Sequence, residues 1–149
     1  MDEINIEELV GNLTLKDNKK AYSSLKILLE ESRKSDKVYA YFDRYAEMME
    51  DENSYIRTRG LLLTAANARW DTENKIDEVI DAYLKHVKDV KPITARQCIQ
   101  ALPEIAKYKP DLSEAIIQAL ERMDVSQYPD SMRPLVEKDI RAVLKELNV

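Results

Sequence analysis

Ile76-Asp77-Glu78-Val79-Ile80-Asp81-Ala82-Tyr83-Leu84-Lys85-His86-Val87 carries apolar side chains at offsets of 0, 3, 4, 7, 8 and 11. At 3.6 residues per turn, those offsets form one continuous stripe along an α-helix. The same offsets recur at Leu112, Ala115, Ile116, Ala119, Leu120 and Met123, and upstream at Val38, Tyr41, Phe42, Tyr45, Ala46 and Met49. The starting points 38, 76 and 112 are 38 and then 36 residues apart, a drift that one residue of loop length explains. A period in that range means that one supersecondary unit has been copied along the chain and stacked.

A second kind of helix lies between these three. Ile56, Arg59, Leu62 and Ala65 are matched by Ile93, Arg96, Ile99 and Leu102 at a shift of 37. Met132, Arg133, Val136, Ile140 and Val143 form a third copy. Tyr22, Leu25, Leu28 and Leu29 form an earlier one, with Tyr22 where the arginine should stand. Short polar turns such as Asp51-Glu52-Asn53-Ser54 and Lys109-Pro110-Asp111 separate the helices. The spacing predicts helices near 4–13, 17–34, 36–50, 53–70, 73–89, 92–107, 111–124 and 131–147. Pro103 falls inside the 92–107 helix and is expected to bend it. Connections this short force antiparallel neighbours, and repeated antiparallel pairs bury their stripes by stacking. The expectation is an all-α, right-handed α-solenoid. Residues 17–50, 53–89 and 92–124 supply the pairs, 1–16 a front cap and 131–147 a capping helix.

Composition agrees with helices. Two Gly, five Pro and 34% charged residues suit helices better than a β-sandwich, and 149 residues make one domain with a real core. The net charge of −5 disfavours nucleic acid or an anionic membrane as partner. Cys98 is alone, so neither an intramolecular disulfide nor a cysteine-based metal site is expected. The acidic start Met-Asp-Glu-Ile-Asn-Ile-Glu-Glu lacks the pattern of a signal peptide. No stretch approaches the ~20 apolar residues of a membrane span. A cytoplasmic protein is the expectation.

Asp51-Glu52-Asn53-Ser54-Tyr55-Ile56-Arg57-Thr58-Arg59, followed by Gly60-Leu61-Leu62-Leu63, resembles the start of the second helix of a HEAT repeat. Lys91-Pro92-Ile93-Thr94-Ala95-Arg96-Gln97-Cys98-Ile99 resembles it again, and the resemblance covers roughly 17–147. It implies about three to four repeats of ~37 residues in a single domain, 1–149. It also implies that a turn carboxylate pairs with the repeat arginine. Glu52 and Asp89 stand seven residues before Arg59 and Arg96, while Ser126 takes that place before Arg133, so the ladder is expected to break there. HEAT-like proteins of bacteria include adaptors, lyases acting on bilin chromophores and DNA glycosylases, and the fold does not choose among them.

Arg59, Arg96 and Arg133 could form a line roughly 20 Å long that binds phosphates or an acidic peptide, given ~8–10 Å between neighbouring helices. The competing reading is the structural ladder with Glu52 and Asp89. Trp70-Asp71 is similar to the tryptophan–aspartate pairs of HEAT-like glycosylases; its place at a helix end points to packing, and the competing reading makes Trp70 a binding-site anchor. Tyr41, Phe42 and Tyr45 lie on the apolar stripe and are read as core, whereas Tyr39 lies off it and is read as exposed, a candidate binding residue. His86 is read as a surface histidine and Cys98 as a small buried thiol. Asp139, standing where earlier repeats have Leu102 and Ala65, is read as part of a wettable cap. Residues 16–37 carry seven basic side chains against four acidic ones, a locally basic face read as solvated. No catalytic constellation, metal motif or cofactor loop is present, so no cofactor is implied. The function expected is a non-enzymatic interaction or scaffold module that binds a protein or peptide through its concave helix layer. The alternative is a small nucleic-acid-associated protein related to the HEAT-like DNA glycosylases, using the arginine row for phosphate contact.

Overall fold

The computed structural model describes residues 4–148, so the outermost residues of the expected domain, 1–3 and 149, lie outside it. Eight α-helices pack together, and the described residues contain no strand. They are α1 (Ile6–Asn12), α2 (Asn18–Ser32), α3 (Phe42–Met48), α4 (Ser54–Ala66), α5 (Lys75–Leu84), α6 (Pro92–Tyr108), α7 (Ser113–Glu121) and α8 (Arg133–Glu146). The expected boundaries hold to within a few residues, with one systematic difference. Short 3-10 turns at Tyr39–Tyr41, Ala68–Trp70, Lys85–Lys88 and Pro110–Leu112 replace the ends of helices expected to be wholly α. A 3-10 turn tightens a helix end where the α ladder runs out of partners.

Polar residues at the turns start the helices. Asn5, Asp17 and Asn53 each accept backbone N–H groups from the first turn that follows, the donors a helix start leaves unpaired. Pro92 opens α6 at a position where its missing N–H costs nothing. Asn74, at φ 56°, turns the chain into α5 in the left-handed region that asparagine tolerates. α6 runs unbroken through Pro103, with Ile99, Leu102, Ile105 and Ala106 buried on either side of it.

The helices α2, α4, α6 and α8 lie side by side in chain order. α1 packs on α2, α3 on α4, the turn after α5 on α6, and α7 on both α6 and α8. One apolar cluster joins Val10, Leu13, Leu25, Leu28, Tyr45, Met48 and Leu63 at the front. A larger one runs from Phe42 and Leu61 through Ile76, Tyr83, Ile99 and Ile116 to Val136 and Val143. α4 belongs to both clusters. That is why its run Leu61-Leu62-Leu63 is apolar on more than one side, and why Gly60 stands before it. A Cβ at Gly60 would lie 2.6 Å from the Tyr45 carbonyl oxygen, 2.8 Å from Met48 Cβ and 2.9 Å from the Met49 nitrogen. Only glycine lets α3 and α4 come this close.

Candidate functional site

A groove of about 600 Å³ opens among the N-terminal halves of α2, α4 and α6. Its floor is Leu25, Leu62 and Arg59, and its walls include Asn18, Thr58, Thr94 and Gln97. Three large side chains on its rim are strongly exposed: Tyr22 at 58%, Tyr55 at 61% and Ile93 at 66%. Tyr22 and Ile93 belong to the stripes read as core, so for them the structure reverses that expectation. Among the described residues no element covers the side of these helices that faces away from α1 and α3, so a stripe position there becomes a groove wall. Across the groove, the Thr58 and Thr94 hydroxyls meet at 2.9 Å and tie α4 to α6.

Arg59 is the one member of the expected arginine row that reaches this groove. It is only 5% exposed. Its Nη1 donates to the Leu13 carbonyl at 2.8 Å and its Nη2 to Asn18 Oδ1 at 2.9 Å. No carboxylate among the described residues pairs with it, and burial pulls its pKa below the ordinary arginine value. Arg96 instead forms an ion pair between α6 and α8, with Nε 2.7 Å from Asp139 Oδ2. Arg133 curls back to the Tyr128 and Ser126 carbonyls and to Asp130 at 2.9 Å. The three arginines therefore do not present a common open stripe. Asp139 is correspondingly no wettable cap residue but the half-buried partner of Arg96.

The ladder also differs from expectation. Asp89 does not pair with Arg96. It accepts from Arg57 Nε at 2.9 Å and Nη2 at 2.7 Å, from the Lys91 backbone N–H at 2.9 Å, and lies 2.8 Å from His86 Nδ1. Burial raises the Asp89 pKa, but the hydrogen bonds from His86, Arg57 and Lys91 outweigh it and hold the carboxyl well below its usual range. Glu52 contributes only its carbonyl, to Arg57 Nη1 at 2.9 Å, and its exposed side chain does not pair with Arg59. At 100° per residue, Arg57 and Arg59 face nearly opposite sides of α4. Arg57 takes the ladder role because it points toward the turn before α6. His86 is accordingly a half-buried partner of Asp89 and not a free surface histidine.

Both aromatic candidates are bonded to other parts of the chain. Tyr39, expected to be exposed, is buried, and its hydroxyl donates to Asp71 Oδ1 at 2.6 Å. Burial and the neighbouring carboxylate push that phenol pKa up. Asp71 also accepts the Lys75 and Ile76 backbone N–H groups and lies 3.1 Å from Lys109 Nζ. Burial raises its pKa, and the bonds from Tyr39, Ile76, Lys75 and Lys109 bring it below the usual value. Trp70 donates its indole N–H to the Ser32 carbonyl at 2.7 Å and lines no part of the groove. Cys98 is buried as expected, and burial pushes its thiol pKa well up. No group of His, Cys, Asp and Glu among the described residues is arranged to hold a metal ion. No helix of the described residues is long and apolar enough to cross a membrane.

Sequence reasoning missed Tyr22, Tyr55, Lys91 and Ile93 as groove residues. The signal available was the Tyr22/Ile93 pair of large apolar side chains at the starts of neighbouring inner helices. No protein-family model, curated protein or solved structure matches the chain.

Proposed function

We propose that this chain is a non-enzymatic interaction module of the HEAT-like class, a short right-handed α-solenoid that binds a peptide segment of a partner protein. The groove between α2, α4 and α6 carries the reading, because three large side chains stand exposed around a concave apolar floor. Exposed aromatic and branched side chains around a concavity are the anchors that peptide recognition uses. The repeat reading draws support from the long-range hydrogen bonds, which join residues about one period apart. Asn67 to Ser32 spans 35 residues, Arg69 to Arg33 36, Lys109 to Asp71 38 and Tyr128 to Asp89 39. Each unit thus leans on the unit before it, as stacked repeats do.

The nucleic-acid alternative rested on an open row of arginines. With Arg96 on Asp139 and Arg133 on Asp130, two of the three are neutralised within the chain. The experiment is capture of partners from a native lysate, with nuclease added to one of two matched samples and a Tyr55→Ser/Ile93→Ser variant run beside the wild type. Both substituted side chains are exposed, so the variant should fold. A protein recovered in both wild-type samples and lost with the variant supports the groove. Recovery that vanishes with nuclease overturns the reading.

A further inference from the structure

We infer that the groove selects a peptide segment bearing a carboxylate beside apolar residues, with the carboxylate seated on Arg59. The inference rests on the reading of the groove as a peptide site and adds the chemistry of the occupant.

Three observations converge on a negative group. The chain holds 28 acidic residues against 23 basic ones, yet the groove lining contains Arg59 and Lys91 and no Asp or Glu. Arg59 is a nearly buried guanidinium whose two bonds to described partners go to neutral oxygens. A guanidinium carries five N–H donors, so further donors remain for an incoming group, and its planar fork matches a carboxylate. A buried cation without an anionic partner is costly to keep, and an anion that reaches it relieves that cost. Finally, Asn18, Ser54 and Pro92, the first residues of α2, α4 and α6, all line the groove. The Asp17 carboxylate already caps α2, and the positive ends of α4 and α6 add to the field of Arg59.

The apolar walls decide which anion fits. Leu25 and Leu62 form the floor, and Tyr22, Tyr55 and Ile93 stand around it, so a strongly hydrated phosphate would lose its water against hydrocarbon. A Glu or Asp side chain flanked by Leu, Ile or Phe offers a carboxylate for Arg59 and apolar surface for the walls at once.

The test is fluorescence polarisation with four fluorescein-labelled ten-residue peptide pools. One pool randomises Asp, Glu, Leu, Ile and Phe. The second replaces the acids by Asn and Gln, the third by Lys and Arg, and the fourth keeps the acids but replaces the apolar residues by Ser. Saturable binding of the first pool is expected, at least 10-fold tighter than any other. Ile93→Asp, which sets a carboxylate on the rim at an exposed position, should abolish that binding while leaving the circular dichroism spectrum unchanged. Lys91→Glu should weaken it. Equal binding of the acidic and amide pools overturns the inference yet leaves a peptide groove standing. Binding of no pool overturns it as well, and the lysate capture with Tyr55→Ser/Ile93→Ser then decides separately whether the groove binds a protein. Saturable binding of decanoate with no binding of any peptide pool would also sink it, since the occupant would then be a small amphipathic acid.

Discussion

Gly60→Ala and Gly11→Ala are the same chemical change on two helices of this chain and should move stability in opposite directions. In a helix interior, alanine is favoured over glycine by about 1 kcal/mol. At Gly11, the next-to-last residue of α1, the new methyl meets nothing within 4 Å, so part of that gain should appear, as a rise of about 0.5 kcal/mol. At Gly60 it would stand 2.6 Å from the Tyr45 carbonyl oxygen and 2.9 Å from the Met49 nitrogen. Carbon contacts are comfortable at about 3.5–4.0 Å, so α3 must retreat from α4 by roughly 1 Å. Two of the three obstructing atoms are backbone and the third is a Cβ, so no rotamer change relieves the clash. Overpacking of this kind costs about 1–3 kcal/mol. The upper end applies here because separating α3 from α4 also loosens Met49, Leu61 and Leu63. After the propensity gain is subtracted, the expected loss is about 2 kcal/mol. For a domain of this size, 1 kcal/mol moves Tm by about 2–4 °C, so Gly60→Ala should melt roughly 4–8 °C lower and Gly11→Ala slightly higher. Thermal and urea unfolding followed by circular dichroism at 222 nm measure both. A Gly60→Ala protein as stable as the wild type would refute the close α3–α4 crossing.

Asp89→Ala strands Arg57 in a nearly buried place and removes a bond from the Lys91 N–H. Breaking a buried pair from one side costs about 3–5 kcal/mol, whereas Arg57→Met/Asp89→Leu should recover much of that loss; equal losses in the single and double variants would contradict the pairing. Asp71 and Asp89 both have pKa values lowered in the folded state. Their contribution is therefore full above the unfolded carboxyl value of about 3.9 and is lost as pH falls through the folded values. Tm should be level from pH 7 to pH 5 and drop toward pH 3, with a shallower drop in Asp89→Asn; an unchanged slope would show that Asp89 is not the source. Cys98, buried with its thiol pKa pushed up, should not react with a disulfide reagent at pH 8 until the chain is unfolded in urea.

How far the sequence could be read divides along one physical line. Helix existence followed from stripes such as Ile76–Val87, because apolar spacing near 3.6 residues kept up over three turns builds a face on a helix and on no strand. The ends were less legible: Tyr39–Tyr41 and Lys85–Lys88 are 3-10 turns whose apolar spacing is indistinguishable from α over so few residues. Ion pairs were the least legible. Arg59 repeats with Arg96 and Arg133, which made it look like the ladder residue, while the non-repeating Arg57 makes the pair with Asp89. The period identifies equivalent positions and says nothing of which side chain on a turn faces the next unit. Asp139 shows the same limit, since only the packing of α8 against α6 reveals that its carboxylate meets Arg96.

Periodicity fails for the groove for a related reason. An inner helix such as α4 has neighbours on both flanks and α3 on one side, so nearly every position on it favours an apolar residue. The uncovered side is then coloured like the core, and Tyr22, Leu62 and Ile93 read as interior. Net charge misleads in the same way. A sum of −5 argues against an anionic partner only if charges are spread evenly, yet screening limits each charge to a range of about 8–10 Å in physiological salt. The groove lining holds Arg59 and Lys91 and no carboxylate, so the charged side chains that a docking segment touches are basic on a chain whose net charge is acidic. An acidic partner is repelled at long range in low salt and attracted once it reaches the groove. A modest rise in salt should therefore speed association of the acidic peptide pool by screening the net charge of −5, and a further rise should weaken its equilibrium binding by screening Arg59 and Lys91; equilibrium binding that does not change with salt would refute the cationic groove.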